Sequence, residues 1–272
     1  MTIGDRSDWL GLGGRVCVVT GAGSGIGSAI AEGFARAGAK VALLDRDRAA
    51  NERAAAVLHA KAGHVLPLEC DVSDPGSVVA AAAEILRSIG PCDVLVNNAG
   101  FLKPGPLASL PLSEWNTMLA VNLTGYFICA QVFGRQMFDR RSGSIVHVAS
   151  IAARQPQGFS GAYSVGKAGI VMLSRQLALE WGPHGVRSNV VSPGLIRTPL
   201  SEKFYEQQDI AERRAAIVPT RRIGVPRDIA DVVLFLACDR ASYVNGDEIT
   251  VDGGFSLALM GQIPRPGYED GQ

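Results

Sequence analysis

Seven short apolar runs alternate with helix-length segments along this chain, and this order restricts the fold more than any other feature of the sequence. Runs such as VCVVT at 16–20 and DVLVNN at 93–98 read as continuous apolar strands, which is typical of strands buried between two layers of helices. The segments between the runs carry Ala, Leu, Glu and Arg at helical spacing. The sequence therefore predicts an α/β fold, a doubly wound, Rossmann-like, seven-stranded parallel sheet with helices on both faces.

The predicted strands are 15–20, 40–45, 65–70, 93–97, 144–150, 187–192 and 248–251. The predicted helices are 25–37, 48–61, 77–89, 114–138, 162–181 and 227–238.

One domain accounts for the whole chain. No linker-like change of composition divides the 272 residues, so 1–272 is predicted to be a single domain with its core at 13–254. A long polar and helix-prone insertion at 195–224 follows the sixth strand, as is typical of a substrate lid. The C-terminal tail, 255–272, contains the apolar stretch SLALM and is predicted either to fray or to dock on another surface.

The charge balance argues against several classes of partner. Because 26 basic and 26 acidic side chains give a formal net charge of zero, neither nucleic acid nor a membrane surface is an expected partner. The first residues lack the apolar segment of a signal peptide, and no uncharged apolar run reaches about 18 residues. Five scattered cysteines without a C-x-x-C pair predict neither a disulfide framework nor a metal site, and they favour a reducing, cytoplasmic setting.

A glycine-rich loop, TGAGSGIG at 20–27, joins the first predicted strand to the first predicted helix. Gly21, Gly25 and Gly27 would let the backbone approach a ligand closely, and the following helix N-terminus suits a pyrophosphate, although such a loop can also be only a tight turn. Asp45, at the end of the second strand, favours a dinucleotide site because its carboxylate can accept both adenosine ribose hydroxyls. Asp71, after the third strand, is either an adenine contact or a loop-capping residue.

Tyr163 and Lys167 are four residues apart in a predicted helix, so their side chains share one face. The simpler alternative is a packing tyrosine beside a surface lysine. A phenol with a pKa of about 10 is a poor base at neutral pH, and an adjacent ammonium is expected to lower that pKa. The pair is therefore predicted to act as a general acid and base.

Further motifs accompany the glycine-rich loop and the Tyr163–Lys167 pair. In chain order the motifs are TGAGSGIG at 20–27, NNAG at 97–100, Asn122 within AVNLTG, Ser150, YSVGK at 163–167, PG at 193–194 and VDGG at 251–254. Ser150 precedes Tyr163 by 13 residues. In these motifs, their order and this spacing, the chain resembles the short-chain dehydrogenase/reductase family, in its one-domain, nicotinamide-dependent branch, over most of its length.

The resemblance implies a catalytic set of Asn122, Ser150, Tyr163 and Lys167. Tyr163 would exchange a proton with the substrate oxygen, and Ser150 would hydrogen-bond the same oxygen. Lys167 would hold the nicotinamide ribose, and Asn122 would position a water that links Lys167 to solvent. The cofactor-binding residues, inferred from the loop, the strand ends and the resemblance, are Gly21, Ser24, Gly25, Ile26, Gly27, Asp45, Arg46, Asp71, Val72, Asn97, Asn98, Ala99, Gly100, Tyr163, Lys167, Pro193, Gly194, Ile196 and Thr198.

The predicted cofactor is NAD. A 2′-phosphate needs cationic groups around it, whereas Asp45 would present a carboxylate, and Ser24 stands where NADP-using relatives often have a basic residue. Arg46, directly after Asp45, could still turn toward a phosphate. The favoured function is hydride transfer between NAD(H) and a secondary alcohol or ketone of the polyol, sugar or cyclic alcohol type.

Two other functions stay open. The stretch TRRIGVPRDIA at 220–230 also resembles NADPH-dependent 3-oxoacyl thioester reductases, and a non-catalytic NAD-binding regulator would share the fold. A sugar-nucleotide epimerase or dehydratase is disfavoured because the chain has no room for a separate substrate domain. The resemblance further implies a homotetramer formed through the helices at 114–138 and 162–181. We hypothesise that the apolar residues 256–260 of the tail cover a neighbouring subunit in such a tetramer.

Overall fold

In this computed structural model, residues 9–59, 64–199, 201–202, 205 and 208–262 are described. Within them the strands form one parallel sheet in the order β3-β2-β1-β4-β5-β6-β7, which confirms the predicted doubly wound fold. The strands are β1 (Val16–Thr20), β2 (Lys40–Asp45), β3 (Val65–Glu69), β4 (Val94–Asn97), β5 (Gly143–Val148), β6 (Val186–Pro193) and β7 (Glu248–Val251). The α-helices are α1 (Gly25–Arg36), α2 (Arg48–His59), α3 (Pro75–Ser88), α4 (Leu112–Leu119), α5 (Gly125–Arg140), α6 (Tyr163–Trp181), α7 (Gln208–Ile217) and α8 (Pro226–Ala237).

Buried apolar side chains cover both faces of the sheet. Successive residues of a strand point to opposite faces, and the structure follows this rule closely. Val19 and Val146 belong to the cluster that packs with α1 and α8, whereas Val18 and Ile145 belong to the cluster that packs with α3 and α5. Burial on both sides explains why the strands read as continuous apolar runs.

The strand order reverses next to β1, because β1 pairs with β2 on one side and with β4 on the other. The loops that leave the carboxyl ends of β1 and β4 therefore lie side by side, at the position where open α/β sheets bind ligands. The Oγ1 of Thr20 joins the two loops, since it accepts hydrogen bonds from the backbone N–H groups of Asn98 (2.9 Å) and Ala99 (3.1 Å).

The predicted helix at 114–138 is not one uninterrupted α-helix, so that prediction is wrong in its middle. Five residues, Ala120–Thr124, form a π-helical turn between α4 and α5. Both atoms of the Asn122 side-chain amide bond to the backbone of Phe101: Nδ2 donates to the carbonyl (2.8 Å) and Oδ1 accepts from the N–H (3.0 Å). A single π turn inside an α-helix is a frequent feature of functional sites, and here it carries a predicted site residue.

The fifth strand ends at Val148, two residues before the predicted end at Ser150. Ser150 instead begins a short 3₁₀ turn, because its Oγ accepts a hydrogen bond from the N–H of Ala152 (3.1 Å). This hydrogen bond turns the chain out of the sheet and leaves Ser150 at the sheet edge.

The segment Leu112–Arg140 is long and apolar enough to cross a membrane by length and composition alone, and no other described segment is. In the structure α5 contributes Phe133 and Met137 to the core beneath the sheet. The insertion at 195–224 contains α7, in agreement with its helix-prone sequence. The tail forms a 3₁₀ helix, Phe255–Gln262, and the predictions for 263–272 lie outside the described residues.

Candidate active site

A cavity of about 400 Å³ opens at the carboxyl edge of the sheet. Loops that follow β1, β4, β5 and β6 border it, so it lies at the point where the strand order reverses. The predicted site residues that line it are Gly21, Ser24, Gly25, Ile26, Asp45, Arg46, Asp71, Val72, Asn98, Ala99, Gly100, Ser150, Tyr163, Lys167, Pro193, Gly194, Ile196 and Thr198.

Three predicted residues do not line the cavity. Gly27, at the end of the glycine-rich loop, is a buried residue of α1, and a Cβ there would clash with the carbonyl oxygen of Gly21. Asn97 is buried beneath the sheet edge, where its Nδ2 donates to the carbonyl of Tyr126 (3.1 Å). Asn122 is fully buried and holds Phe101. These three residues support the site from behind rather than forming its wall.

The sequence reasoning missed several lining residues. The sequence favours 101–106, 151–159 and 195–224 as sources of pocket residues. The first and the last contribute Phe101, Pro199 and Ser201, whereas no residue of 151–159 is among those that line the cavity. Those not predicted are Cys70, Val121, Val148 and Ala149.

The glycine-rich loop has the shape that a dinucleotide requires. Gly21 and Gly25 have φ of +65° and +56°, and a Cβ on Gly21 would stand 2.8 Å from the Cα of Ala99. Ser24, the N-cap of α1, makes no capping hydrogen bond with its side chain. The first-turn N–H groups of α1 are therefore available to an anionic ligand such as a pyrophosphate, so the residues present fit a nicotinamide dinucleotide.

The acidic residues at the far end of the cavity are held by the backbone. The carboxylate of Asp45 accepts hydrogen bonds from the N–H of Gly23 (2.9 Å) and from that of Asp47 (3.0 Å). Asp71 lines the cavity and also caps its own loop, because its Oδ1 accepts from the N–H and the hydroxyl of Ser73. The hydrogen bond from the Ser73 hydroxyl lowers the pKa of Asp71, so it stays ionised. Both interpretations of Asp71 are thus compatible with its position.

Ser150, Tyr163 and Lys167 meet on the opposite wall. Tyr163 is the first residue of α6, and Lys167 lies one turn further on. The Nζ of Lys167 donates to the carbonyl of Val148 (2.9 Å) and to the hydroxyl of Tyr126 (3.4 Å), and it lies 5.7 Å from the centre of the Tyr163 ring. The expected common face of the Tyr163–Lys167 pair is therefore present.

Burial dominates the electrostatics of this wall. It lowers the pKa of Lys167 to about 7, because an ammonium loses its hydration there. It also raises the pKa of Tyr163, and the hydrogen bond with Ser150 offsets only part of that rise. The expectation that Lys167 brings the pKa of Tyr163 below its ordinary value is wrong for this structure, since desolvation of the phenolate is the larger effect.

Gly100 separates Asn122 from Lys167. A Cβ at Gly100 would stand 3.0 Å from the Oδ1 of Asn122 and 3.6 Å from the Nζ of Lys167. The two side chains are thus neighbours on either side of Gly100, where a Cβ would be crowded against Asn122. Among the described residues, no group of three or more His, Cys, Asp or Glu side chains could hold a metal ion.

Comparison with known proteins agrees with this geometry. A family model described as enoyl-(acyl carrier protein) reductase matches residues 21–256. The chain is 39% identical to D-threitol dehydrogenase of Mycolicibacterium smegmatis over 246 residues, which cover 90% of this chain and 94% of that protein. It is 35% identical to NAD-dependent glycerol dehydrogenase of Listeria innocua over 243 residues, which cover 89% of this chain and 94% of that protein.

Among solved structures, a gluconate 5-dehydrogenase from Burkholderia cenocepacia in complex with NADP and tartrate superimposes with a TM-score of 0.88 at 29% identity, covering 94% of this chain and all of that one. The chain belongs to the short-chain dehydrogenase/reductase family. It is accordingly an oxidoreductase that uses a nicotinamide cofactor.

Proposed function

We propose that this protein interconverts a secondary alcohol and a ketone of the polyol or sugar type, with NAD(H) as its cofactor. One observation carries the proposal: Ser150, Tyr163 and Lys167 line the same cavity as the glycine-rich loop. Redox chemistry at a carbon–oxygen bond needs a hydride carrier at the carbon and an acid or base at the oxygen, held together in one site. The cavity has residues for both.

The residues divide into those that bind and those that move a proton. Bound in the cavity, the cofactor supplies or accepts the hydride. Gly21, Gly25 and the N-terminus of α1 hold its pyrophosphate, and Asp45 accepts hydrogen bonds from its adenosine ribose. On the other wall, Tyr163 exchanges a proton with the substrate oxygen through its phenolic hydroxyl.

The pKa of Tyr163 determines whether its hydroxyl donates a proton, as ketone reduction requires, or accepts one, as alcohol oxidation requires. Because burial raises this pKa, the hydroxyl is protonated at neutral pH and can donate to a ketone oxygen in the reduction direction. For alcohol oxidation Tyr163 must accept a proton, so the Ser150 hydroxyl and the Lys167 ammonium must stabilise its phenolate. We propose that Ser150 also hydrogen-bonds the substrate oxygen, and that Asn122 holds the loop beside Lys167.

The named relatives and the cavity wall support a small polyhydroxylated substrate. The relatives described above act, by name, on threitol, glycerol and gluconate. The wall combines hydroxyl groups, from Ser150 and Tyr163, with the apolar Phe101 and Ile196. In a polyol substrate, the hydroxyl groups would hydrogen-bond to the polar side chains and the carbon chain would contact the apolar ones.

The 3-oxoacyl thioester reductase remains the second candidate, because the matching family model is described as an acyl-carrier-protein reductase. An anionic carrier would need cationic side chains that are available to it. Arg222 is instead engaged in a two-fold hydrogen bond with Asp228 (2.7 and 2.8 Å), and Arg221 donates to the carbonyl of Ala216 (2.6 Å). Two arginines of the stretch at 220–230 thus form hydrogen bonds within the protein and are less available to an anionic carrier. This favours the polyol substrate over the carrier-bound thioester.

The proposed preference for NAD rests on Asp45. Its carboxylate accepts a hydrogen bond from the N–H of Gly23 in the glycine-rich loop, which fixes the orientation of the side chain. A 2′-phosphate beside Asp45 would therefore be repelled by a like charge. Arg46 also lines the cavity, and its guanidinium is the cationic group that could favour NADP by turning toward a 2′-phosphate. Relatives of both kinds occur, one named as NAD-dependent and one in complex with NADP.

A spectrophotometric assay tests the proposal. The protein is incubated with NAD or NADP and with threitol, glycerol, gluconate and cyclic alcohols, and with NADPH and a 3-oxoacyl thioester. We expect turnover of polyols with NAD, and Tyr163→Phe should lower kcat by at least about 100-fold while NAD still binds. Tyr243→Phe is the matched control, because Tyr243 is fully exposed and lies outside the cavity.

Two results would contradict the proposal. Turnover confined to the thioester with NADPH would establish the second candidate. Turnover of no substrate, together with tight NAD binding, would favour a non-catalytic regulator.

We further propose that the chain assembles as a homotetramer through α5 and α6. Several large apolar side chains on these helices are exposed, among them Phe127, Val165, Met172 and Leu179, the last with 79% of its surface accessible. In the tail, Leu257 and Leu259 are also exposed, as expected if the tail covers a neighbouring subunit.

We also propose that 195–224 is a lid. We propose a cytoplasmic setting as well, because all five cysteines are free and buried.

A further inference from the structure

A second buried tyrosine lies beside the proposed catalytic lysine. Tyr126 is in the first turn of α5, is 1% exposed and does not line the cavity. We propose that Tyr126 is a positioning residue, whose phenolic oxygen accepts a hydrogen bond from the Lys167 ammonium and so holds that ammonium, charged, at the end of β5. The inference rests on the proposed function, in which Lys167 assists proton transfer by Tyr163.

Three polar atoms meet at the end of β5. The Tyr126 hydroxyl donates to the carbonyl of Val148 (3.0 Å), and the Nζ of Lys167 donates to the same carbonyl (2.9 Å). Nζ also lies 3.4 Å from the Tyr126 oxygen and 5.3 Å from the centre of its ring. Because the Tyr126 hydrogen is directed at Val148, the side of the oxygen that faces Lys167 is an acceptor. The ammonium therefore has two acceptors in place of water.

The ring of Tyr126 is itself held in place. It stacks on the imidazole of His147, with 5.9 Å between centroids and 17° between planes. The Nδ1 of His147 lies 3.3 Å from the Nδ2 of Asn97, and its Nε2 lies 3.2 Å from the Oγ of Ser188, so both ring nitrogens have partners. Burial lowers the pKa of His147 to about 3. The imidazole is thus neutral at working pH and adds no positive charge beside Lys167.

The titratable groups that face Lys167 are Tyr163 on its own helix, Tyr126 on α5 and His147 on β5. An acceptor on Lys167 favours its charged form, in opposition to burial. Without the Tyr126 oxygen the ammonium would keep only the Val148 carbonyl, and its pKa would fall below about 7. A smaller charged fraction would leave the Tyr163 phenolate less stabilised during alcohol oxidation.

The test is Tyr126→Phe, which removes one oxygen and keeps the ring on His147. The chain contains only five lysines, so ¹³C-labelled lysine gives few NMR signals, and the signal that disappears in Lys167→Met belongs to Lys167. We expect Tyr126→Phe to lower the titration midpoint of that signal by about one pH unit, the scale of one hydrogen bond to a charged group. Tyr243→Phe is the matched control and should not move it.

Activity supplies the second measurement. In Tyr126→Phe the alkaline limb of the pH profile of kcat should move to lower pH by the same amount, while KM for NAD changes less than about twofold, because Tyr126 does not line the cavity. A purely structural role would alter thermal stability without moving either midpoint.

An unchanged Lys167 midpoint in folded Tyr126→Phe would overturn the inference. A lowered midpoint without any change in the activity profile would support the contact between Tyr126 and Lys167, and would count against the catalytic role that we propose for Lys167. If Tyr126→Phe does not fold, 3-fluorotyrosine at position 126 keeps the shape of the ring and weakens the oxygen as an acceptor. A smaller shift in the same direction is then expected, and no shift would refute the inference.

Discussion

Burial of Lys167 has a cost in stability that depends on pH. Its pKa is 10.5 in an unperturbed chain and about 7 in the folded protein. Between these values the unfolded chain binds more protons than the folded protein, so the free energy of unfolding increases as the pH rises. Burial of Lys167 therefore costs no stability above pH 10.5, where the side chain is neutral in both states. The cost grows as the pH falls and is complete below about pH 7. Replacement of Lys167 by methionine, which is of similar length and carries no charge, removes this dependence.

The size of the effect follows from the two pKa values. The difference between 10.5 and about 7 corresponds to roughly 4–5 kcal/mol at and below neutral pH. Raising the pH from 7 to 9 should recover about 2 kcal/mol of this in the wild type and none of it in Lys167→Met. The carbonyl of Val148 stays satisfied in the variant, because the Tyr126 hydroxyl still donates to it. Lys167→Met should therefore be more stable than the wild type at pH 7, with an advantage that shrinks as the pH rises.

Denaturant unfolding at pH 7, 8 and 9, at one protein concentration and without cofactor, measures this difference. Burial raises the pKa of Cys17, Cys92 and Cys129, so their thiols also make stability pH-dependent, but equally in both proteins. Lys103→Met is the control, because it makes the same substitution at a side chain that is 57% exposed. A stability difference that stays constant within about 0.5 kcal/mol over this pH range would refute the reasoning.

Four further outcomes are expected. Asp45→Ser should reduce a preference for NAD over NADP that we expect to be about 10- to 150-fold in kcat/KM, as measured with both cofactors, whereas a wild type that uses NADP equally well would contradict the argument. Gly27→Ala places a Cβ 2.1 Å from the Gly21 carbonyl and should lower the melting temperature and weaken NAD binding, while Gly158→Ala, with nothing within 4 Å, should leave the melting temperature unchanged. Hydrogen exchange in 195–224 should slow when cofactor and substrate bind, and equal rates would argue against a lid. Light scattering should give four times the mass of one chain, and a monomeric mass would exclude the tetramer.

The sequence by itself determined the class of fold and most of the cavity wall. Continuous apolar runs such as 16–20 require strands with both faces buried, and a parallel sheet between helices provides that burial. The glycine-rich loop and the Tyr163–Lys167 spacing are local patterns, so their geometry follows from the periodicity of a strand, a turn and a helix. This is why residues near these motifs line the cavity as expected, and why Asp45 lies at the end of β2 as predicted.

Only the tertiary structure decided the environment of those residues. The π-helical turn at 120–124 contains Asn122, whose side chain is hydrogen-bonded to the backbone of Phe101, 21 residues earlier. The protonation of Lys167 depends on how completely α5, α6 and β5 exclude water from it, and its second acceptor comes from Tyr126, 41 residues earlier. Spacing along the chain places a side chain on a face, but desolvation and long-range hydrogen bonds arise only when distant segments pack together, and these set the pKa values on which the chemistry depends.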